Sequence, residues 1–345
     1  MRVSAETAFA GWPGPPRWRW PQTTGGKTPG ALTALQELLQ DATAGDPITG
    51  MKWTHRSLRK LCKALRRRGV KVSPATLARL LRRLRFSLRT CRKQKAGIRN
   101  RDRARQFRYL LRLRNWYLAR NWPVISVDTK KKEWVGNFKN PGHSWRRRPH
   151  RVLDHDYPTW AKGRANPAGI YDLAHNDGYM VIGTSHETPT FEVNAIRRWW
   201  LDVGRRRYGD ECPLLIEVDG GGANDHRKWE WKFALQGLAD EFGLTVTVTH
   251  YPPGASKWNP IDHRMFSLIS ANWAGEPLRS YEMILKYIRT TRSDTGFHCR
   301  ASLDERTYER QKIGVERRAI IRLKRRSVLP DWNYTIRPHK GCPNS

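Results

Sequence analysis

The sequence predicts an α/β domain behind an all-α region, and three observations carry that expectation. Up to about residue 120 the apolar residues recur at helical spacing, whereas from Val124 onward β-branched runs alternate with helical patterns. A strong hairpin signal, Asn176-Asp177-Gly178, stands early in the second part. Two of the β-branched runs end abruptly on an aspartate, Asp128 and Asp219.

Residues 1–30 are rich in Pro, Gly and Trp, as in GWPGPPRWRWP, and lack the charged-then-apolar pattern of a signal peptide. They read as an irregular tail or as residues upstream of the natural start. From Gly30, Leu32, Leu35, Leu38 and Leu39 recur at helical spacing until GDPITG interrupts them. Thr54 is placed to cap a second helix with Leu58, Leu61 and Leu65 on its apolar face, and Gly69 stands where a C′ glycine belongs. After Val70-Lys71-Val72, Ser73 as N-cap and Pro74 at the first helical position open a third helix carrying Leu77, Leu80, Leu81 and Leu84. Helix, glycine turn and a second helix with outward arginines is the layout of a helix-turn-helix. Arg79, Arg82, Arg83 and Arg85 are then candidates for phosphate or base contacts in a major groove; an ordinary basic helical hairpin has the same pattern. NRDRARQFRYLLRLRNWYLARN predicts a long basic helix with Phe107, Leu110, Leu111 and Leu118 on one face, either a solvated connector or a further binding element. The expected layout is thus a tail over 1–30, a helix-turn-helix DNA-binding region over 31–95 and a basic linking helix over 96–123.

The second part opens with VISVDTKKKEWVGNF, in which Val124, Ile125 and Val127 suit a buried strand. His143 to Ala165 is polar, basic and proline-containing, and reads as a loop or insertion. Gly169–Ala174 and Tyr179–Gly183 read as strands joined by the 176–178 turn. A helix follows over Thr190–Arg207, with Val193, Ile196, Trp199, Trp200 and Val203 near its spacing. LLIEVD is a fourth strand, His226–Phe242 a helix ended by Gly243, LTVTVTHY a fifth strand and Ile261–Trp273 a third helix. The order β-β-β-α-β-α-β-α is the ribonuclease H-like arrangement, expected over 124–290; a doubly wound sheet would not begin with a hairpin. The remainder, 291–345, reads as a basic C-terminal segment, whose tail from ERRAIIRLKRRS onward either binds DNA or is solvated.

Composition bounds the partner. Lys and Arg total 65 against 31 acids, a formal charge of +34 with pI near 10.8, and 16 tryptophans accompany them. Such an excess opposes compaction unless a polyanion neutralises it, and double-stranded DNA is the natural one. No apolar run approaches the roughly 18 residues of a transmembrane helix, so no membrane partner is expected. The five cysteines are scattered, odd in number and without C-x-x-C spacing, which supports neither a disulfide framework nor a zinc knuckle and fits reducing, cytoplasmic surroundings.

Asp128 and Asp219 end strands that lie adjacent in the expected topology. Each also has a bland reading: Asp128 can bond Thr129 in a turn, and Asp219-Gly220 can be a tight turn. Gly220-Gly221-Gly222 lets the backbone approach a ligand. Asp262, about 40 residues beyond Asp219, falls at N3 of a helix with Asn259 as N-cap and Pro260 at N1, a capping arrangement compatible with ligation. Three oxygen-only ligands suit Mg²⁺ or Mn²⁺, and two such ions about 4 Å apart serve phosphodiester chemistry. Lys130 and Lys131, with Lys257 in PPGASKWNP, form a cationic rim for DNA. His250 and His263 either orient a nucleophile or metal-bound water, or are structural or contact phosphate.

With these residues in view, VISVDTKKKEWVGNFKN, GIYDLAHNDGY, IRRWW, VDGGGAND and HYPPGASKWNPIDHRMFSLISANW together resemble DDE transposases of the Rhodopirellula-type insertion-sequence family. The resemblance runs from about Gly45 to DWNYTI near Trp332. It implies a ribonuclease H-like core, cleavage and strand transfer at transposon ends, assembly as an oligomer on DNA, and a bacterial, nucleoid-associated setting. Asp128 and Asp219 match the first two motif aspartates. At the third position the family normally has Glu in KWN-x-IEHR, where this chain has Asp262; the NPID string is similar to mariner-type transposases, in which Asp fills this place. A catalytically decayed copy that only binds DNA, and a structure-selective nuclease of the same fold, are the alternatives to an active transposase.

Overall fold

A computed structural model describes residues 30–42, 44–45, 52–53, 57–87, 101–210, 212–255 and 258–339. The chain divides into two compact units, Met1–Gln94 and Lys95–Ser345.

In the first unit, α1 (Ala31–Ala42) is followed by two short antiparallel strands, β1 (Ala44–Gly45) and β2 (Lys52–Trp53), then α2 (Leu58–Arg67) and α3 (Pro74–Arg83). Leu35, Leu38, Leu39, Leu61, Leu65 and Leu77 are buried together as its core. The cap of α2 is Ser57, whose hydroxyl accepts from Lys60 N–H; the expected cap, Thr54, lies outside the described residues. Gly69, at φ +81°, makes the left-handed turn after α2 that a side chain would strain. Ser73 caps α3 through Thr76 N–H at 3.1 Å, with Pro74 next to it.

The second unit begins with α4 (Arg103–Leu118) and continues through β3 (Val124–Thr129), β4 (Glu133–Val135), β5 (Gly163–Asp172) and β6 (Asp177–Gly183). α5 (Pro189–Trp199) runs on through a π-helical stretch, Trp200–Gly204, into α6 (Arg205–Tyr208). Then come β7 (Leu214–Val218), α7 (Trp229–Phe242), β8 (Val246–His250), the π-helical stretch Asp262–Phe266, α8 (Ser267–Asn272) and α9 (Tyr281–Thr290). β9 (His298–Asp304), α10 (Val315–Ala319), β10 (Leu323–Arg325) and β11 (Asn333–Ile336) complete it.

The strands form one mixed sheet in the order β10-β11-β8-β7-β3-β5-β6-β9, with β4 pairing on the start of β5. β3, β7 and β8 are mutually parallel, while β5 is antiparallel to both β3 and β6. One face, with Ile125, Val127, Ile216 and Val218, is covered by α5 and α7, whose Trp199, Trp200 and Trp231 are fully buried. The other, with Tyr171, Met180 and Ile182, is covered by the 260–272 helix and α9.

Four sequence expectations are corrected. β5 starts at Gly163 rather than Gly169, because β4 and β6 pair along its whole length. The hairpin turn is 173–176, not 176–178: Asp172 and Asp177 are the last pair, and Asp172 accepts from Ala174 and His175 N–H to form the turn itself. α4 buries Gln106, Leu110 and Tyr117 while Leu111 is exposed. Gln106 donates to the His250 carbonyl and Tyr117 to Thr247, so polar groups dock this helix on the sheet. The stretch from Glu316 is not merely a solvated tail, since β11 extends the sheet beside β8, and β9 before it lies beside β6.

Candidate active site

Alternation along β3 sends Ile125 and Val127 into the α5–α7 core and Ser126 and Asp128 to the other face. Asp128 Oδ1 accepts from Thr129 N–H at 2.7 Å, and Oδ2 accepts from Asn259 Nδ2 at 2.9 Å. Asn259 Oδ1 in turn accepts from the Ser126 hydroxyl at 2.6 Å. Asn259 stands, as expected, immediately before the helix that starts at Pro260, and its amide faces Ser126 and Asp128, which orients the Asp128 carboxylate.

Asp219 follows β7 directly, and Val127 pairs with Val218, so parallel pairing sets Asp128 and Asp219 at neighbouring strand ends. Its Oδ1 accepts from Gly221 N–H at 2.7 Å. Gly220 and Gly222 take φ +74° and +61°, the left-handed turns that lead the chain away from the sheet.

Asp262 opens the π-helical stretch, a local widening of the helix that recurs at functional sites. This helix can approach β3 and β5 because Gly169, the partner of Asp128, has no side chain: a Cβ there would fall 2.5 Å from Phe266 and 3.1 Å from Ile261.

The three carboxylates feel one another. Burial, then the charges of Asp219 and Asp262, push Asp128 up to about 8, against the opposing hydrogen bonds from Thr129 and Asn259. Asp262 is raised by burial and Asp219, with His263 opposing. Among the described residues, however, no group of three His, Cys, Asp or Glu side chains is close enough to hold an ion as it stands. The donor set is oxygen-only, and burial with neighbouring negative charge raises the proton affinity of Asp128 and Asp262. A hard divalent cation would offset that charge, so the residues suit one chemically.

Two further acids escaped the sequence reading. Glu192 on α5 is 1% exposed, its Oε2 has no hydrogen-bond partner, and burial with the charges of Asp128, Glu187 and Asp219 raises it well above the ordinary range. Glu187 accepts from the Thr129 hydroxyl and pairs with Lys132. Neither lies in a motif whose spacing marks it; only the TKKK run opposite them could have hinted at acidic partners.

The cationic rim divides. Lys130 is buried between Glu133, at 3.1 Å, and the Trp273 ring, at 4.5 Å, and burial lowers its proton affinity. Lys131 is exposed, and Lys257 lies outside the described residues. A cleft of about 640 Å³ adjoins Asp262, lined by Lys130, Lys131, Phe266 and Trp273 among others. Arg79, Arg82, Arg83 and Arg85 are all exposed on the first unit. His250 is fully buried between the Trp332 and Asn224 carbonyls, and burial lowers it to about 4.

A sequence profile described as the Rhodopirellula transposase DDE domain matches residues 34–338. The chain belongs to that family. Solved structures with a similar chain include a Mos1 transposase paired-end complex with left transposon end, at 14% identity and TM-score 0.42, covering 82% of this chain and 73% of that one. The Mos1 mariner paired-end complex with Mn is similar at 15% identity and TM-score 0.39, covering 82% and 73%. The corresponding complex with Mg stands at 13% and 0.40, covering 83% and 74%. No curated protein matches the chain. No helix among the described residues is long and apolar enough to cross a membrane.

Proposed function

We propose that this transposase-family protein binds the terminal inverted repeats of its element and catalyses divalent-metal-dependent DNA strand cleavage and strand transfer. The observation that carries the reading is the placement of Asp128 and Asp219 at neighbouring ends of parallel strands, with Asp262 at a helix start close enough for its charge to act on Asp128. The central strand order β6-β5-β3-β7-β8, with β5 antiparallel, supports a ribonuclease H-like core.

In this reading the three aspartates hold Mg²⁺ or Mn²⁺, two ions in all. Bound there, the ions would supply an activated oxygen nucleophile and charge stabilisation of the leaving oxygen. The chain's own residues do the placing. Thr129 N–H and Asn259 fix the Asp128 carboxylate, and the Gly221 amide fixes that of Asp219. The close approach allowed by Gly169 supports Asp262 in the place where the family normally carries the longer Glu. α2 and α3 act as the helix-turn-helix, with Arg79, Arg82, Arg83 and Arg85 on DNA, and Lys131 joins them at the core. The active species is a homo-oligomer on two element ends.

The test is cleavage of a labelled duplex carrying the element's terminal repeat, with Mg²⁺ or Mn²⁺, by the parent, Asp219→Asn and Asp262→Glu proteins. Metal-dependent nicking at the repeat end that disappears in Asp219→Asn is the expected result. Specific binding without nicking, restored by Asp262→Glu, would instead identify a decayed copy.

A further inference from the structure

Glu187 lies in the loop between β6 and α5, immediately before Thr188, which is fully buried and caps α5 through Phe191 N–H at 3.2 Å. Pro189 follows, so the backbone beside Glu187 is held rigidly. From this fixed point the carboxylate reaches both strand ends of the centre. Oε1 accepts from the Thr129 hydroxyl at 3.1 Å, one residue beyond Asp128. A Cβ at Gly222 would lie 3.3 Å from the same oxygen, so the carboxylate rests against the glycine turn that leaves Asp219. Oε2 pairs with Lys132 Nζ at 2.7 Å.

We propose that Glu187 is a positioning residue for the carboxylate centre, tying the end of β3 to the turn after β7 and keeping Lys132 away from the aspartates; this rests on the function proposed above. A purely packing role would not call for an acid that accepts from the Thr129 hydroxyl with one oxygen and pairs with the Lys132 ammonium through the other. The acid is useful because Lys132 is anchored on it. Without Glu187 the ammonium is free to neutralise the aspartates and compete with a divalent cation, while the Thr129 tether is lost.

The experiment is calorimetric titration of the full-length protein with Mn²⁺ alone, alongside thermal unfolding in chelator, for the parent, Glu187→Ala, Thr129→Val, Lys132→Met/Glu187→Ala and Asp219→Asn. Residues behind metal ligands typically alter affinity 10–100-fold. Glu187→Ala should weaken Mn²⁺ binding by about that factor with little change in unfolding temperature, and adding Lys132→Met should recover part of the loss. Thr129→Val should weaken it by about tenfold, and it decides the matter if Glu187→Ala does not fold. Parent-like Mn²⁺ affinity in the Glu187 and Thr129 variants, with binding abolished in Asp219→Asn, would overturn the proposal and leave the centre intact. Parent-like affinity in Asp219→Asn would overturn the centre itself and the proposal with it.

Discussion

Asparagine in place of Asp128 should make the metal-free protein more stable at alkaline pH. The carboxyl stands at about 8 against an ordinary 3.8, because burial and two neighbouring aspartates disfavour its charge. At about 1.4 kcal/mol for each tenfold change in proton affinity, that difference sets a ceiling of about 5–6 kcal/mol. Partial solvation and relaxation of the neighbouring acids should reduce the realised effect to about 2–3 kcal/mol. The sign follows from linkage: between about pH 4 and pH 8 the folded protein keeps a proton that the unfolded chain has released, so stability falls as pH rises through that window. The asparagine variant has no such titration. Its side-chain amide can still accept from Thr129 N–H, and Asn259 can turn its own amide over, because the Ser126 hydroxyl either donates or accepts. Urea unfolding in chelator at about pH 5 and about pH 8.5 measures the effect. The parent midpoint should drop between the two, whereas that of Asp128→Asn should drop less and lie above the parent at the higher pH. A variant midpoint at or below the parent's at pH about 8.5 would refute the mutual repulsion on which the site rests.

Gly169→Val should cost about 1–3 kcal/mol and reduce metal-dependent nicking, since even its Cβ meets Phe266 at 2.5 Å and must push the Asp262 helix outward; thermal unfolding and the nicking assay check both. Arg114→Met strands Glu217, which is fully buried and otherwise bonded to Tyr251, and should destabilise by about 3–5 kcal/mol. Adding Glu217→Gln should restore much of that, as denaturant midpoints would show. A chain ended at Arg310 lacks β11, leaving the β8 edge without its antiparallel partner strand, and should be recovered aggregated rather than as a folded monomer or oligomer on size-exclusion chromatography. Arg79→Ala with Arg82→Ala should leave the unfolding temperature in place and lower the salt slope of repeat-DNA binding by about 2, measured by anisotropy across a salt series.

The sequence by itself determined the sheet's central strands and the places of the aspartates on them. Val124–Val127 and Leu214–Val218 are buried on both faces, so they read as apolar runs broken only by Ser126 and Glu217, and an aspartate is conspicuous where such a run stops. Ser73 and Pro74 announced α3 for an equally local reason, since a cap and its helix are neighbours in the chain. Tertiary structure decided the rest. Asn259 has a helix-start signature, yet its amide faces Ser126 and Asp128, more than a hundred positions away in the chain. Gln106 and Tyr117 became the docking face of α4 because Thr247, Thr249 and Asn333 offered hydrogen bonds, which hydrophobic spacing does not register. β9 and β11 sit in a basic, weakly patterned stretch that becomes strand only because β6 and β8 present unpaired edges. Glu187 and Glu192 gain their meaning from the charges around them, and those charges come from strand ends that only the folded sheet brings near. Local chemistry is written along the chain; the electric field at a site is a sum over space, and the fold must exist before that sum can be taken.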